Sequence, residues 1–383
     1  MKVVIAPQTF KGSISALEVA GAMSEGVRRI IGEAETVLVP VADGGDGTLE
    51  TLVEASAGKV NTSEVTGPLG GTVTASWGAM GDGNTSVIEM ARTSGLALVP
   101  TEKRNPLLAT TYGLGEVIAR ALDAGFRSYI IGIGGSATND GGAGMAQALG
   151  VRLLDAEGGD LPFGGAALAR LHRIDMSGLD SRIGQSRLSV ACDVNNPLTG
   201  PEGASAVYGP QKGATPDMVA QLDAALAHMS DVAKRDIGAD INDVPGAGAA
   251  GGLGGGLIAF LNGSLRPGVD IVLDAVGLDK HLESADLVIT GEGCLDYQTV
   301  YDKAPIGVAR RAKARGIPVS AISGSLGERH TEVHRHGIDA ASAITHAPMG
   351  LDESSARAHE LIAAATEQAL RFMKVGAEVF RKG

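Results

Sequence analysis

Gly132-Ile133-Gly134-Gly135-Ser136-Ala137-Thr138-Asn139-Asp140-Gly141-Gly142-Ala143-Gly144 follows the apolar run Tyr129-Ile130-Ile131 and leads into a helical pattern through Met145, Ala146 and Leu149. The order reads as strand, glycine loop, helix. Six of the thirteen residues are glycine; glycine loses more conformational freedom on folding than any other residue, so such a cluster marks unusual φ or close backbone approach. Successive N–H groups in a turn, with the positive end of the following helix, make a cradle for an anion. Glycine loops also join strands to helices with no ligand, and both readings stand at this point. Gly132, Gly134 and Ala137 further trace the outline of a dinucleotide fingerprint, with Asp155 as the ribose-binding acid, although residues 138–142 intervene where that fingerprint is already helical.

The same alternation opens the chain. Residues 2–6 form an apolar strand, and Ser15 with Glu18 supplies a capping box for a helix whose buried face is Leu17, Ala20, Met23, Val27 and Ile30. A second strand at 36–41 leads through Asp43-Gly44-Gly45-Asp46 into another helix. From residue 61 the texture changes to a hairpin of 72–77 with 85–90, a helix over 112–124, and strands at 151–155 and 188–194. Turns at 195–198 and 209–214 flank a short strand at 204–208, and a long amphipathic helix starts at Pro216. Short apolar strands at 286–290, 317–322 and 339–344 then restore the opening texture. The expected fold is α/β: a discontinuous Rossmann-like parallel-sheet domain from residues 1–60 and 285–383, interrupted by a mixed α/β domain at 61–284.

At 383 residues the chain is too long for one ordinary core. A formal charge of −12 and the lack of any Lys/Arg-rich block argue against a nucleic-acid partner. Cys192 and Cys294 stand far apart without C-x-x-C spacing, which fits a reducing compartment, the cytoplasm, and no structural zinc. Val3-Val4-Ile5-Ala6 is too short for a signal-peptide core and is followed by Pro7. Residues 247–261 are apolar but hold six glycines, and they fall short of the roughly 20 residues a spanning helix needs. They are expected to be buried or to line a site, with no membrane partner. A homo-oligomer stays open.

In open parallel sheets ligands sit beyond the carboxyl ends of the strands. Residues 8–13, 43–48, 291–303 and 323–325 lie there, while the inserted domain offers its central glycine loop, 193–196 and 211–213; the cleft between the domains is where they are expected to meet. The chain has no G-x-x-x-x-G-K-[ST] and no His-Arg-Asp catalytic loop. His334 and His336 lie on a polar segment and read as solvated surface. What remains is a set of acids and lysines in glycine settings, namely Asp43, Asp46, Asp140, Asp193, Glu292 and Asp296 beside Lys11, Lys212 and Lys303. Each acid alone is more often a turn cap and each lysine a solvated charge. Together they suit Mg²⁺-assisted phosphoryl transfer, in which carboxylates hold the metal or take a hydroxyl proton and lysines neutralise the moving group.

Several motifs carry a resemblance over almost the whole chain: Val41-Ala42-Asp43-Gly44-Gly45, Thr66-Gly67-Pro68-Leu69-Gly70, the central glycine loop, Ala191-Cys192-Asp193, Tyr208 ahead of Gly209-Pro210-Gln211-Lys212-Gly213-Ala214, Gly246-Ala247-Gly248-Ala249-Ala250-Gly251-Gly252, and Leu287-Val288-Ile289-Thr290-Gly291-Glu292-Gly293. In this order they resemble the bacterial glycerate kinase family of the D-glycerate 2-kinase type. The resemblance implies transfer of the ATP γ-phosphoryl group to the 2-hydroxyl of D-glycerate with Mg²⁺, giving 2-phosphoglycerate and ADP. On this reading Asp193 is the general base, with Asp296 the alternative, and Lys11, Lys212 and the central loop stabilise anionic groups. Gln8, Asp43, Gly44, Gly45, Gly134, Gly135, Ser136, Asn139, Asp140, Glu292 and Lys303 bind substrate or nucleotide, and Asp43 and Asp193 are the candidates for Mg²⁺. The chain departs from the family pattern at Gln8 (usually Asp), Asp46 (Glu), Cys294 (Arg) and Asp302 (Gly). Gln8 can hydrogen-bond but cannot serve as a base, and Cys294 cannot give an Arg's bidentate grip. A kinase for another small hydroxy acid, a non-catalytic ligand-binding relative and a nicotinamide-dependent oxidoreductase are the alternatives.

Overall fold

The computed structural model describes residues 1–301 and 303–381, so Asp302 lies outside the described residues. The chain forms two compact units, one of residues 1–43, 54–56 and 269–383, the other of 44–53 and 57–268.

The first unit is built on a five-stranded sheet in the order Ala340–Ala343, Val319–Ser323, Leu287–Gly291, Lys2–Pro7, Glu35–Leu38. Every neighbouring pair is parallel, with Val3 beside Leu287 and Ile5 beside Ile289. The three central strands are apolar with little alternation because helices cover both faces of such a sheet. Helix Ala16–Ile30 starts at the capping box seen in the sequence: Glu18 N–H donates to Ser15 Oγ and Ser15 N–H donates to Glu18 Oε2. Its apolar face, Val19, Ala20, Met23 and Val27, packs with Leu361, Ile362 and Leu370 of helix Ala358–Phe380. Gly26 lets the two helices close, since a Cβ there would strike the Ala363 carbonyl. Ser15→Ala is expected to cost about 1 kcal/mol in urea unfolding.

The second unit holds a six-stranded mixed sheet in the order Ser264–Arg266, Arg187–Ala191, Ser128–Gly132, Thr85–Glu89, Thr72–Ala79, Lys59–Thr66. The first four strands are parallel and the last two antiparallel. Its core gathers Ile88, Leu114, Ile131, Met145, Leu226 and Leu253.

Two local expectations are corrected. Residues 204–208, read as a strand, form helix Ala204–Tyr208: five residues with apolar positions at every second place do not separate the two periods, and the segment has no strand partner. Strand Lys59–Thr66, which makes a hairpin with Thr72–Ala79 through a glycine turn at Gly67 to Gly71, was hidden because most of its residues are polar and only Val65 is fully buried.

Candidate functional site

In the second unit, strand Ser128–Gly132 ends in the central glycine loop, whose two halves do different work. Gly134 and Gly135 are exposed and, with Ser136, line a cavity of about 290 Å³ shared with Gly44, Gly45, Asp193, Tyr208 and Lys212. The second half turns inward. Gly141 and Gly142 take φ of +60° and +77° and pack against helix Ala249–Leu261, with Gly141 N–H donating to Gly251 O at 3.1 Å.

The expected phosphate cradle at the following helix is therefore corrected. The N-terminus of helix Ala143–Ala148 is already occupied by an internal anion: Asp140 Oδ1 accepts from Gly142 N–H, and Oδ2 accepts from Gly144 N–H, both at 3.2 Å. Oδ2 also accepts from Thr111 N–H and Oγ at 2.8 and 2.9 Å, so one carboxylate caps two helix starts. Asp140 is 1 % exposed. Burial pushes its carboxyl up, opposed by those donors.

Lys212 is the buried cation of this unit's cavity. It ends the short helix Pro210–Lys212, is 1 % exposed, and its Nζ donates to Thr138 O at 2.7 Å. Desolvation pushes the ammonium down to about 7, with the Asp140 charge pulling the other way. A solvated surface lysine, the ordinary reading of such a residue, is thus excluded. An anion placed beside it would restore its charge. Asn139 is buried behind the cavity with its Nδ2 donating to Ser205 Oγ at 3.0 Å. Asp193 is exposed at the cavity, and its Oδ1 accepts the Gly268 N–H at 2.8 Å, which fixes the carboxylate's direction.

The first unit assembles a second set. Gln8 is buried, its N–H donating to Gly291 O at 2.8 Å. Beyond that strand, Glu292 Oε1 accepts from Thr299 Oγ at 2.7 Å and Oε2 lies 4.0 Å from Lys303 Nζ. Burial pushes Glu292 up to about 7, helped by Asp296 and Asp43 and opposed by Thr299 and Lys303. Asp296 is tied into a turn, its Oδ1 accepting from Gln298 N–H at 2.8 Å. Lys11 is exposed, in a turn whose backbone runs beside Gly293. Cys294 and Asp46 are exposed. Among the described residues no group of three or more His, Cys, Asp or Glu is arranged to hold a metal ion.

Thr299 and Thr111 were not singled out from the sequence. Thr299 and Thr111 reach the sites through the tertiary fold, with no motif to announce them. Asp155 spends Oδ1 on the N–H groups of Glu157 and Gly159, a turn rather than a ribose contact.

A family model described as the glycerate kinase family matches residues 3–374. The chain belongs to the glycerate kinase family. The Glycerate kinase of Bacillus subtilis (strain 168) is 54 % identical over 94 % of both chains. The Glycerate 2-kinase of Escherichia coli (strain K12) is 50 % identical over 98 % of this chain and 99 % of its own. A crystal structure from Salmonella typhimurium LT2, assigned to glycerate kinase 2, superposes with a TM-score of 0.91 at 50 % identity and 99 % coverage of both chains. Family membership makes this chain a kinase, with the mixed α/β architecture of that family. No helix among the described residues is long and apolar enough to cross a membrane.

Proposed function

We propose that this glycerate kinase family member transfers the γ-phosphoryl group of ATP to the 2-hydroxyl of D-glycerate, releasing 2-phosphoglycerate and ADP. The observation that carries the reading is Lys212: a wholly desolvated ammonium lining a cavity of about 290 Å³ is costly unless an anion visits it. A small hydroxy acid fits that volume. Asp193, held by Gly268 N–H, takes the proton of the attacking hydroxyl, and the amides of Gly134, Gly135 and Ser136 with Lys212 offset charge on the anionic groups. Gly44 and Gly45 leave room for close approach on the same wall. Asn139 and Asp140 act behind the wall by holding the loop, Asn139 through Ser205 and Asp140 through Thr111, Gly142 and Gly144. In the first unit Glu292, Lys303, Lys11 and Gln8 are assigned to nucleotide or substrate.

Mg²⁺ keeps several waters and takes only one or two carboxylates together with substrate phosphates, so a three-acid cluster is not required. Asp43 and Asp193 are the residues assigned to it. When bound, the ion neutralises phosphate charge in the transition state. The two free cysteines support a reducing, cytoplasmic location.

The test is ADP release with Mg-ATP over a panel of 2-hydroxy acids, with the phosphorylated position read by ³¹P NMR. D-Glycerate phosphorylated at O2 as the best substrate is the expected result. A better acid than glycerate would favour the second reading, in which Gln8 and Cys294 retune the acceptor; no turnover of any acid would overturn both. Asp193→Asn is expected to lower kcat about 100-fold, whereas Asp296→Asn, which touches a turn, should stay within about 3-fold.

A further inference from the structure

Tyr208 lines the same cavity as Lys212 and Asp193, and the hydrogen bonds behind it fix the polarity of its hydroxyl. Glu202 O can only accept, and the Asn196 side chain meets it with Nδ2 at 2.7 Å. That contact sets the amide orientation and leaves Asn196 Oδ1, an acceptor, facing Tyr208 Oη at 2.7 Å. The phenolic proton must therefore point at Asn196. With that proton committed, the phenol oxygen can offer a ligand in the cavity only a lone pair. The neighbouring Cys192 is set the same way: its thiol donates to Val194 O at 3.3 Å. Asp193 adds a carboxylate. Three adjacent lining groups thus present acceptors, and a ligand group that satisfies them must be a donor.

We infer that Tyr208, oriented by Asn196 and Glu202 O, is a specificity-determining residue that accepts a hydrogen bond from the second hydroxyl, at C3, of the acceptor acid. The inference rests on the proposed function, since it reads one wall of that proposed substrate site. It follows that the site selects a 2,3-dihydroxy acid over its 3-deoxy analogue. A methyl group at C3 would leave the phenol oxygen, desolvated by the ligand, without a partner. A carboxylate at C3 would face three acceptors and be repelled.

The experiment compares D-glycerate with D-lactate, which keeps the 2-hydroxyl and replaces the C3 hydroxyl by hydrogen. The readout is the ratio of their kcat/KM values with Mg-ATP, together with the ratio of their dissociation constants by calorimetry. Tyr208→Phe is expected to lower both ratios roughly 10-fold, the effect of one hydrogen bond. Asn196→Leu, which frees the phenolic proton to turn toward the cavity, should lower them by a smaller factor. A simple packing role for the ring would instead change both acids alike. A Tyr208→Phe ratio within twofold of the wild type overturns the inference, as does a wild type that does not distinguish the two acids. If neither acid is turned over, the proposed function fails by itself, and the calorimetric ratio alone decides the role of Tyr208. Thermal melts of both variants accompany the measurement, and Tyr208→Phe, which removes one half-buried hydroxyl, keeps the comparison on folded protein.

Discussion

Replacing Lys212 with Met is expected to lower phosphoryl transfer by about 10³-fold or more and to make the folded protein more stable at neutral pH. The two effects have one cause. The ammonium is held 1 % exposed and donates a hydrogen bond to Thr138 O. Burial pulls it from its usual 10.5 to about 7, a displacement equivalent to on the order of 4 to 5 kcal/mol of lost stability. Met fills the same volume without a charge to desolvate. Asp140 keeps the four hydrogen bonds from Thr111, Gly142 and Gly144 and is not stranded by the change.

The pH dependence has a definite sign. Between about 7 and 10.5 the unfolded chain holds a proton on Lys212 that the folded chain has released. The wild type therefore gains stability as pH rises through that window. The advantage of Lys212→Met is greatest below pH 7 and fades toward pH 10.5. Urea unfolding of both proteins at pH 6, 8 and 10 measures it. A variant less stable than the wild type at pH 6, or an advantage that does not shrink with pH, contradicts the account of Lys212 as a group held at a loss for its function.

Gly251→Ala is expected to destabilise the protein by at least about 3 kcal/mol. Gly251 has φ of +72° inside helix Ala249–Leu261, where Ala250 and Gly252 are also left-handed. A Cβ there would collide with the Thr138 carbonyl oxygen, the same atom that receives the Lys212 ammonium. That oxygen belongs to backbone in the packed core and cannot swing aside. Gly238 provides the control. It ends helix Pro216–Ile237 at φ +70° with nothing within 4 Å of a built Cβ. Gly238→Ala meets only the left-handed backbone penalty of about 1 to 2 kcal/mol. Unfolding midpoints of the two variants separate crowding from φ strain; equal losses would show that the glycines at 251 and its neighbours are there for conformation alone. Residual Gly251→Ala that does fold should also bind anions poorly, because the Lys212 acceptor has moved.

Most of the parallel strands were legible as short apolar runs bounded by glycine or a polar turn, and the Ser15/Glu18 box announced a helix start that the structure keeps, whereas the three-residue strand Ser264–Arg266 was too short to carry a period. The polar strand Lys59–Thr66 escaped because periodicity reports burial, and only Val65 in that strand is fully buried. The central loop was legible as a special backbone. Its partner was not. Glycine content alone does not say whether the approaching group is a phosphate or another segment of the same chain, and here helix Ala249–Leu261 occupies one half while the cavity opens on the other.

The amino-acid order by itself determined the α/β class, the family and the short roster of acids and lysines from which any phosphoryl-transfer chemistry must be drawn, since these depend on local pattern and residue type. Tertiary structure alone decided which of them are charged, buried or engaged. Asp140 became an internal cap, Lys212 a desolvated cation and Tyr208 a one-way acceptor, because desolvation and hydrogen-bond direction are set by neighbours distant in the chain.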